Sequence, residues 1–149
     1  MFRIEELKLG NYLLAENAIR KVGGIYIGSS EPGGKRSEAA GNHQEAYTWM
    51  LSEKLRFLPL TEELLAGLGF SFHTHFKLWQ RLRPAKSYCI ELDSDFVALD
   101  FMHRPICGPV QYVHTLQNLF YSIQGAGLTF AADTTEQNIA EIGVRQLYN

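Results

Sequence analysis

Two histidines, His73 and His75, are the first side chains in this sequence that could bind a ligand. They stand at i and i+2 in "FSFHTHFKLW", so on a β-strand they would project from one face. Two imidazoles can both bind a metal ion, which also needs a third ligand and supporting partners. His103 is the candidate third ligand, with Glu91 and Asp100 as alternatives. H-x-H alone is a weak signal, so a solvated strand face is the favoured interpretation.

A basic and aromatic cluster follows directly in "KLWQRLRPAKSY". Guanidinium groups suit phosphates, and an aromatic ring can stack on a base. The alternative is a solvated strand edge whose charges prevent pairing with another chain. A long glycine-rich loop carries two further cations that could close over an anion. The residues predicted to bind such a ligand are Lys35, Arg36, Lys77, Trp79, Arg81, Arg83 and Tyr88.

Catalytic motifs have little support in the sequence. There is no G-x-S-x-G, and "GSSEPGGKRS" lacks the spacing of a phosphate-binding loop. Cys89 and Cys107 stand in apolar contexts typical of inert, mostly buried thiols. The sequence contains no C-x-x-C motif, so a zinc site built on cysteines is not expected. We therefore expect no catalytic residue and no cofactor.

Composition predicts one soluble domain with a real core. The chain has 149 residues, of which 46% are hydrophobic and 20% charged, with a formal net charge of −2. This charge argues against broad attraction to nucleic acid or to an anionic membrane. There is no apolar run long enough to span a membrane, and "MFRIEELKLGNY" has no apolar core of a signal peptide. We expect a cytoplasmic protein.

The first part of the chain is predicted to be β-structure. "NYLLA", "AIRKV" and "GGIYIG" are short apolar strands, and the pair Gly23-Gly24 suits a hairpin turn in a small antiparallel sheet. Residues 29–46 hold almost no large apolar side chain and are predicted to form a mobile loop. "YTWMLSEKLRFLPL" is predicted to be one strand that runs up to Pro59.

A short helix then links this region to a second sheet. In "PLTEELLAGLGF", Thr61 is a good N-cap and Gly69 suits the left-handed position that ends the helix. The segments "FSFHTHFKLW", "SYCIEL" and "FVALDFMH" alternate with period two. They predict a three-stranded antiparallel meander over residues 70–103.

A C-terminal helix over residues 112–124 is predicted to cover this meander. Its apolar stripe is Val113, Leu116, Phe120 and Ile123, and Gly125 suits its end. Its polar stripe is a solvent face or a contact that makes a homo-oligomer. The polar residues of this stripe are His114, Gln117, Asn118 and Tyr121.

The domain is predicted to cover residues 1–130, with residues 131–149 as an extension. A capping box at Asp133 and Glu136 and a thin stripe of Ile139, Ile142 and Leu147 favour a docked helix or a partner-binding element.

Three phrases, "ELKLGNYLL", "LPLTEELLAGLGF" and "YVHTLQNLFYSIQGAGLTF", resemble a family of small proteins from Bacteroidetes bacteria, their prophages and mobile elements. Family members carry phrases like "LRIGNYV", "PIPLTEEWLLKFGF" and "YVHQLQNLYFALTG" in the same order. The resemblance implies a phage or mobile-element setting and brings no catalytic motif.

Several functions compete on this evidence. The leading hypothesis is a non-enzymatic binding protein that sequesters an anionic nucleotide signal of host antiviral immunity, or that binds a host protein. The alternatives are a metal-dependent hydrolase that uses His73, His75 and His103, and a nucleic-acid-binding accessory protein.

Overall fold

The chain folds as an α+β protein, as the sequence predicts. The computed structural model describes residues 2–27, 48–51, 54–81, 89–131 and 139–146. These residues form two five-stranded sheets and two α-helices. The loop predicted over 29–46 and the capping box at Asp133 and Glu136 lie outside the described residues. Neither described helix is long and apolar enough to cross a membrane.

The first sheet combines the N-terminal region with the tail. Its strands are β1 (Tyr12–Ala15), β2 (Ala18–Ile27), β3 (Thr48–Leu51), β4 (Leu55–Phe57) and β10 (Glu141–Gln146). Their order in the sheet is β3-β10-β2-β1-β4. β1 pairs antiparallel with β2 and β4, whereas β10 runs parallel to β2 and β3.

Two details of the predicted N-terminal sheet are wrong. Gly23 and Gly24 do not form a hairpin turn, because β2 continues through them and the turn lies between β1 and β2. The register against β10 shifts beside these glycines, where Gly143 lies opposite Gly24, so the pair accommodates a bulge. The segment before Pro59 forms two strands, β3 and β4, and not one.

The docked helix predicted in the tail is also wrong for residues 141–146. These residues form β10 between β2 and β3. Ile142 and Val144 alternate on one face and are almost completely buried against Leu13 and Val22. The β-branched pair at period two therefore fits a buried strand better than a helical stripe.

The second sheet is an antiparallel meander, as predicted, but with five strands in the described residues. They follow in chain order as β5 (Phe70–His73), β6 (Leu78–Arg81), β7 (Glu91–Asp93), β8 (Val97–Leu99) and β9 (Pro105–Pro109). Residues 74–77 form a turn, so "FSFHTHFKLW" is a hairpin and not a single strand. Cys107 is exposed on β9, which corrects the prediction that its thiol is buried.

The helix α1 (Glu62–Gly67) links the two sheets as predicted. The hydroxyl of Thr61 accepts a hydrogen bond from the amide of Leu64 at 3.2 Å, which satisfies one amide of the first turn. Gly69 takes the left-handed conformation with φ of +91°. Leu65 is fully buried, so the short helix is fixed by its packing.

The helix α2 (Val113–Gln124) packs into a core that both sheets share. Val113, Leu116 and Phe120 are fully buried in one cluster with Tyr12 of β1 and Trp79 of β6. Gly125 ends the helix with φ of +69°. Ile123 is 38% exposed, so its predicted place in the core stripe is wrong.

Candidate functional site

The structure does not gather the predicted anion-binding residues into one site. Four of them, Lys35, Arg36, Arg83 and Tyr88, lie outside the described residues. The other three belong to the β5–β6 hairpin, where Lys77 lies in the turn and Trp79 and Arg81 lie on β6.

Trp79 is buried in the core and cannot serve as an open stacking surface. Its side chain is 7% exposed and its ring centroid lies 5.3 Å from that of Phe72, its partner across the strands. The indole Nε1 is buried without a hydrogen-bond partner. The period-two pattern predicts Trp79 on the same face as His73 only if residues 70–79 form one continuous strand. The turn at 74–77 reverses that assignment, since paired residues share a face.

Arg81 lies on the same inner face as Trp79. Its guanidinium carbon is 5.3 Å from the centroid of the Phe120 ring, within the range of a cation–π contact. Its side chain also passes Gly69, where a Cβ would come within 3.2 Å of the Arg81 Nε atom. Lys77 is exposed in the turn at the opposite end of β6. The two described cations therefore do not converge on one ligand.

The predicted metal site is not formed in the described residues. His73 ends β5 and His75 lies in the following turn, so the pair does not share a strand face, and the ring centroids are 6.5 Å apart. The Nε2 atom of His103 lies 3.3 Å from the carboxylate of Glu91. Across the part of the chain that the structure describes, no three His, Cys, Asp or Glu side chains are grouped to hold a metal ion.

One feature that the sequence analysis missed is the turn between β8 and β9, residues 100–104, here called the Phe101 tip. The Asp100 carboxylate accepts hydrogen bonds from the amides of Met102 at 2.8 Å and Arg104 at 2.9 Å. It also accepts from Arg104 Nε at 3.0 Å. Phe101 is 73% exposed and Met102 is 59% exposed. Asp100 and Arg104 at i and i+4 around two apolar residues were the available signal.

The hydrogen bonds of the Phe101 tip also hold Asp100 in its ionised form. The backbone amide of Arg104 is the main cause that lowers the pKa of the Asp100 carboxyl, and the amide of Met102 adds to it. An ionised carboxylate accepts stronger hydrogen bonds than a neutral group does. The two exposed apolar side chains are therefore presented on an ordered turn.

The turn between β5 and β6 presents a second exposed group, residues 73–77, here called the aromatic turn. Phe76 is 59% exposed and lies between two histidine rings. The Phe76 amide donates a hydrogen bond to His73 Nδ1 at 3.3 Å. These side chains cluster on a short turn, and the exposed Lys77 stands next to them.

Two of the four residues of the polar stripe predicted on α2, His114 and Gln117, are buried. Gln117 Oε1 accepts from the Tyr12 amide at 2.8 Å, and its Nε2 donates to the carbonyls of Gly10 at 2.9 Å and Leu128 at 3.0 Å. Asn118 donates to the Glu6 carbonyl at 2.9 Å. Gln117 is buried, so it forms neither a solvent face nor a subunit contact.

His114 belongs to the same buried group. It is 1% exposed, and its ring centroid lies 4.1 Å from that of Phe57. Its Nε2 lies 3.5 Å from the Glu6 carboxylate, whereas its Nδ1 is buried without a hydrogen-bond partner. Burial is the main cause that lowers the pKa of His114, and the contact with Glu6 opposes it. Tyr121 is the member of the stripe that stays exposed.

The phrases "ELKLGNYLL", "LPLTEELLAGLGF" and "YVHTLQNLFYSIQGAGLTF" meet in space. The first phrase binds the third through Gln117 and Asn118. The second binds the third through the Leu60 amide, which donates to the Gln111 carbonyl next to that phrase, and the Val113 amide, which donates to the Leu58 carbonyl. These phrases therefore specify the shared core.

Comparisons with known proteins do not add a relative. No family model, no curated protein and no solved structure matches this chain.

Proposed function

We propose that this chain is a non-enzymatic binding protein of a phage or mobile element that acts in the bacterial cytosol by occupying a host protein. The observation that supports this proposal is the Phe101 tip. It combines two exposed apolar side chains with a turn whose backbone is held by Asp100.

The physical argument concerns both attraction and order. Burying apolar surface in a partner's pocket is favourable by roughly 25 cal/mol per Å². Association also costs about 0.5–1.5 kcal/mol for each flexible side chain that becomes fixed, together with the ordering of any loop. The hydrogen bonds of the Phe101 tip order the loop before binding. An aromatic anchor in a pocket is also the usual centre of a binding interface.

The test is a comparison of tip variants. The full chain and a Phe101→Ser/Met102→Ser variant would be used to capture proteins from a Bacteroidetes host lysate, with Phe76→Ser as the matched control at another exposed phenylalanine. The captured host protein is then purified and its affinity for each variant is measured by calorimetry. We expect the double variant to bind at least tenfold more weakly and the control to bind as the original chain does. Equal affinities would rule out the Phe101 tip as the binding surface.

A second candidate is sequestration of an anionic nucleotide signal used in host antiviral immunity. The supporting observation is the exposed Lys77 beside exposed aromatic rings. Arg81 supports it less, because its guanidinium lies against Phe120.

Calorimetry tests this candidate with a panel of cyclic dinucleotides, cyclic oligonucleotides and ADP-ribose derivatives. A bound nucleotide is expected to be released intact after denaturation, and Lys77→Ala is expected to weaken its binding. Arg20→Ala, which removes a half-buried cation of the first sheet, is the matched control. Failure of every compound to bind would exclude the candidate for these ligand classes.

A further inference from the structure

We propose that the aromatic turn is a stacking site for the base of a purine nucleotide. The inference deepens the second candidate function and rests on it for the negatively charged part of the ligand. It assigns base contact to Phe76 and its neighbouring histidines, and not to Trp79, which is buried. The side chains that carry the argument are His73, His75, Phe76 and Lys77.

The first argument is the arrangement of the rings. The centroid of Phe76 lies 4.7 Å from that of His73, at an interplanar angle of 32°. It lies 4.9 Å from that of His75, at 74°. Phe76 is therefore supported by two rings and still keeps 59% of its surface exposed. Such a ring can receive a base without moving into a new position.

The second argument is the hydrogen bonding of the turn. The Phe76 amide donates to His73 Nδ1, so in the neutral ring the proton lies on Nε2. His73 is exposed, so its Nε2–H can donate to a ring nitrogen or carbonyl of a base. The imidazole therefore adds a directional contact to the stacking surface.

The third argument is the cation that follows Phe76 in the chain. Lys77 directly follows Phe76, is exposed and has φ of +54°. A lysine ammonium on its flexible stem suits phosphate as a point charge. The turn thus combines a stacking surface and a cation, the two features with which proteins bind single-stranded nucleic acids. Purines fit better than pyrimidines because their larger ring system covers more of the exposed phenylalanine.

The experiment is a titration of the full chain with three probes, adenosine, AMP and ribose 5-phosphate, followed by NMR. Adenosine and AMP are expected to shift the ring signals of His73, His75 and Phe76, whereas ribose 5-phosphate is not. Phe76→Ala is expected to weaken adenosine binding by about 5- to 150-fold, the range that corresponds to loss of one stacked base. Phe76→Trp should retain binding. Tyr121→Ala, which changes an exposed aromatic side chain on α2, should leave it unchanged.

The outcomes separate this inference from the function on which it rests. Adenosine that shifts none of these signals, or that binds Phe76→Ala as tightly as the original chain, overturns the stacking site. AMP binding that needs Lys77 but not Phe76 overturns the stacking site and keeps the nucleotide candidate. Adenosine binding that needs Phe76, with AMP bound no more tightly and Lys77→Ala without effect, supports the stacking site and removes the anion-binding role of Lys77.

Discussion

The contact between α2 and residues 6–12, here called the junction, contrasts with the two hairpin ends of the second sheet, the aromatic turn and the Phe101 tip. At the junction, polar side chains are buried and their hydrogen bonds stay within the chain, as at Gln117. At the hairpin ends, large aromatic and apolar side chains are exposed, as at Phe76 and Phe101. In the first region polar groups stabilise the fold, whereas the second region leaves apolar surface available to a ligand.

The contrast separates the three phrases quoted above from the candidate binding surfaces. The junction is built from residues of the first and third phrases. The hairpin ends lie between the second and third phrases. The three phrases therefore account for much of the core, and the candidate binding surfaces lie outside them.

The largest effect is expected in the core that joins the two regions. Phe120→Ala removes a fully buried ring and leaves a cavity, so the free energy of unfolding should fall by about 3–5 kcal/mol. Chemical denaturation measures this change. Ile123→Ala on the exposed side of the same helix is the control and should change stability by less than about 1 kcal/mol. Equal stabilities of Phe120→Ala and the original chain would contradict the shared core.

The next largest effect is expected at the buried junction. Gln117→Leu keeps a side chain of similar size but removes the hydrogen bonds to the Tyr12 amide and to the carbonyls of Gly10 and Leu128. We expect a loss of about 2–4 kcal/mol in the free energy of unfolding, because buried polar groups lose their partner. Ser122→Ala, which removes an exposed hydroxyl on α2, is the control for helix propensity. A neutral Gln117→Leu would show that the junction does not need these bonds.

A smaller effect at the junction depends on pH. Burial lowers the pKa of His114, so the folded chain binds a proton less readily than the unfolded chain. Stability contributed by the neutral imidazole is complete above the ordinary pKa of 6.5 and is lost as pH falls towards the lower folded value. One proton limits the slope to about 1.4 kcal/mol per pH unit. The free energy of unfolding measured between pH 7.5 and about 5 should fall with a slope up to this limit, and His114→Gln should reduce the slope. An identical slope in the variant would assign the dependence to other groups.

The smallest effect on global stability is expected at the hairpin ends. Asp100→Ala should speed hydrogen exchange at the amides of Met102 and Arg104, which lose their acceptor. The free energy of unfolding should hardly change, because Phe101 and Met102 are exposed already. Asp95→Ala at the neighbouring turn is the control, since its side chain is exposed. A large loss of stability would place the Phe101 tip with the structural region.

Local signals in the sequence were enough to predict the α+β class and both helices. Thr61 and Gly69 bracket α1, and Gly125 ends α2, because each acts within a few residues of its own position. The helix ends therefore need no knowledge of the rest of the chain.

Features that depend on distant partners were missed. Nothing near Gln117 indicates that its partners include Gly10, which is 107 residues away. The tail strand β10 likewise depends on pairing with β2 and β3.

The candidate site was misplaced for a local reason. The turn at 74–77 reads "THFK" and holds none of the residues that usually mark a turn. Missing it extended a period-two pattern across a chain reversal and exchanged the two faces of β6. Trp79 is consequently buried and does not belong to the candidate site, whereas Phe76 is exposed and does.

The position of β10 also constrains the order in which the first sheet can assemble. β3 has β10 as its neighbour in the sheet, and Ile142 pairs with Thr48, 94 residues earlier in the chain. Among the described residues β10 is the partner of β3, so this pairing forms during synthesis only after residues 141–146 have left the ribosome. Contacts between residues so far apart in sequence slow folding. The β1–β2 hairpin can form early, while completion of the first sheet is the late step in the maturation of this protein.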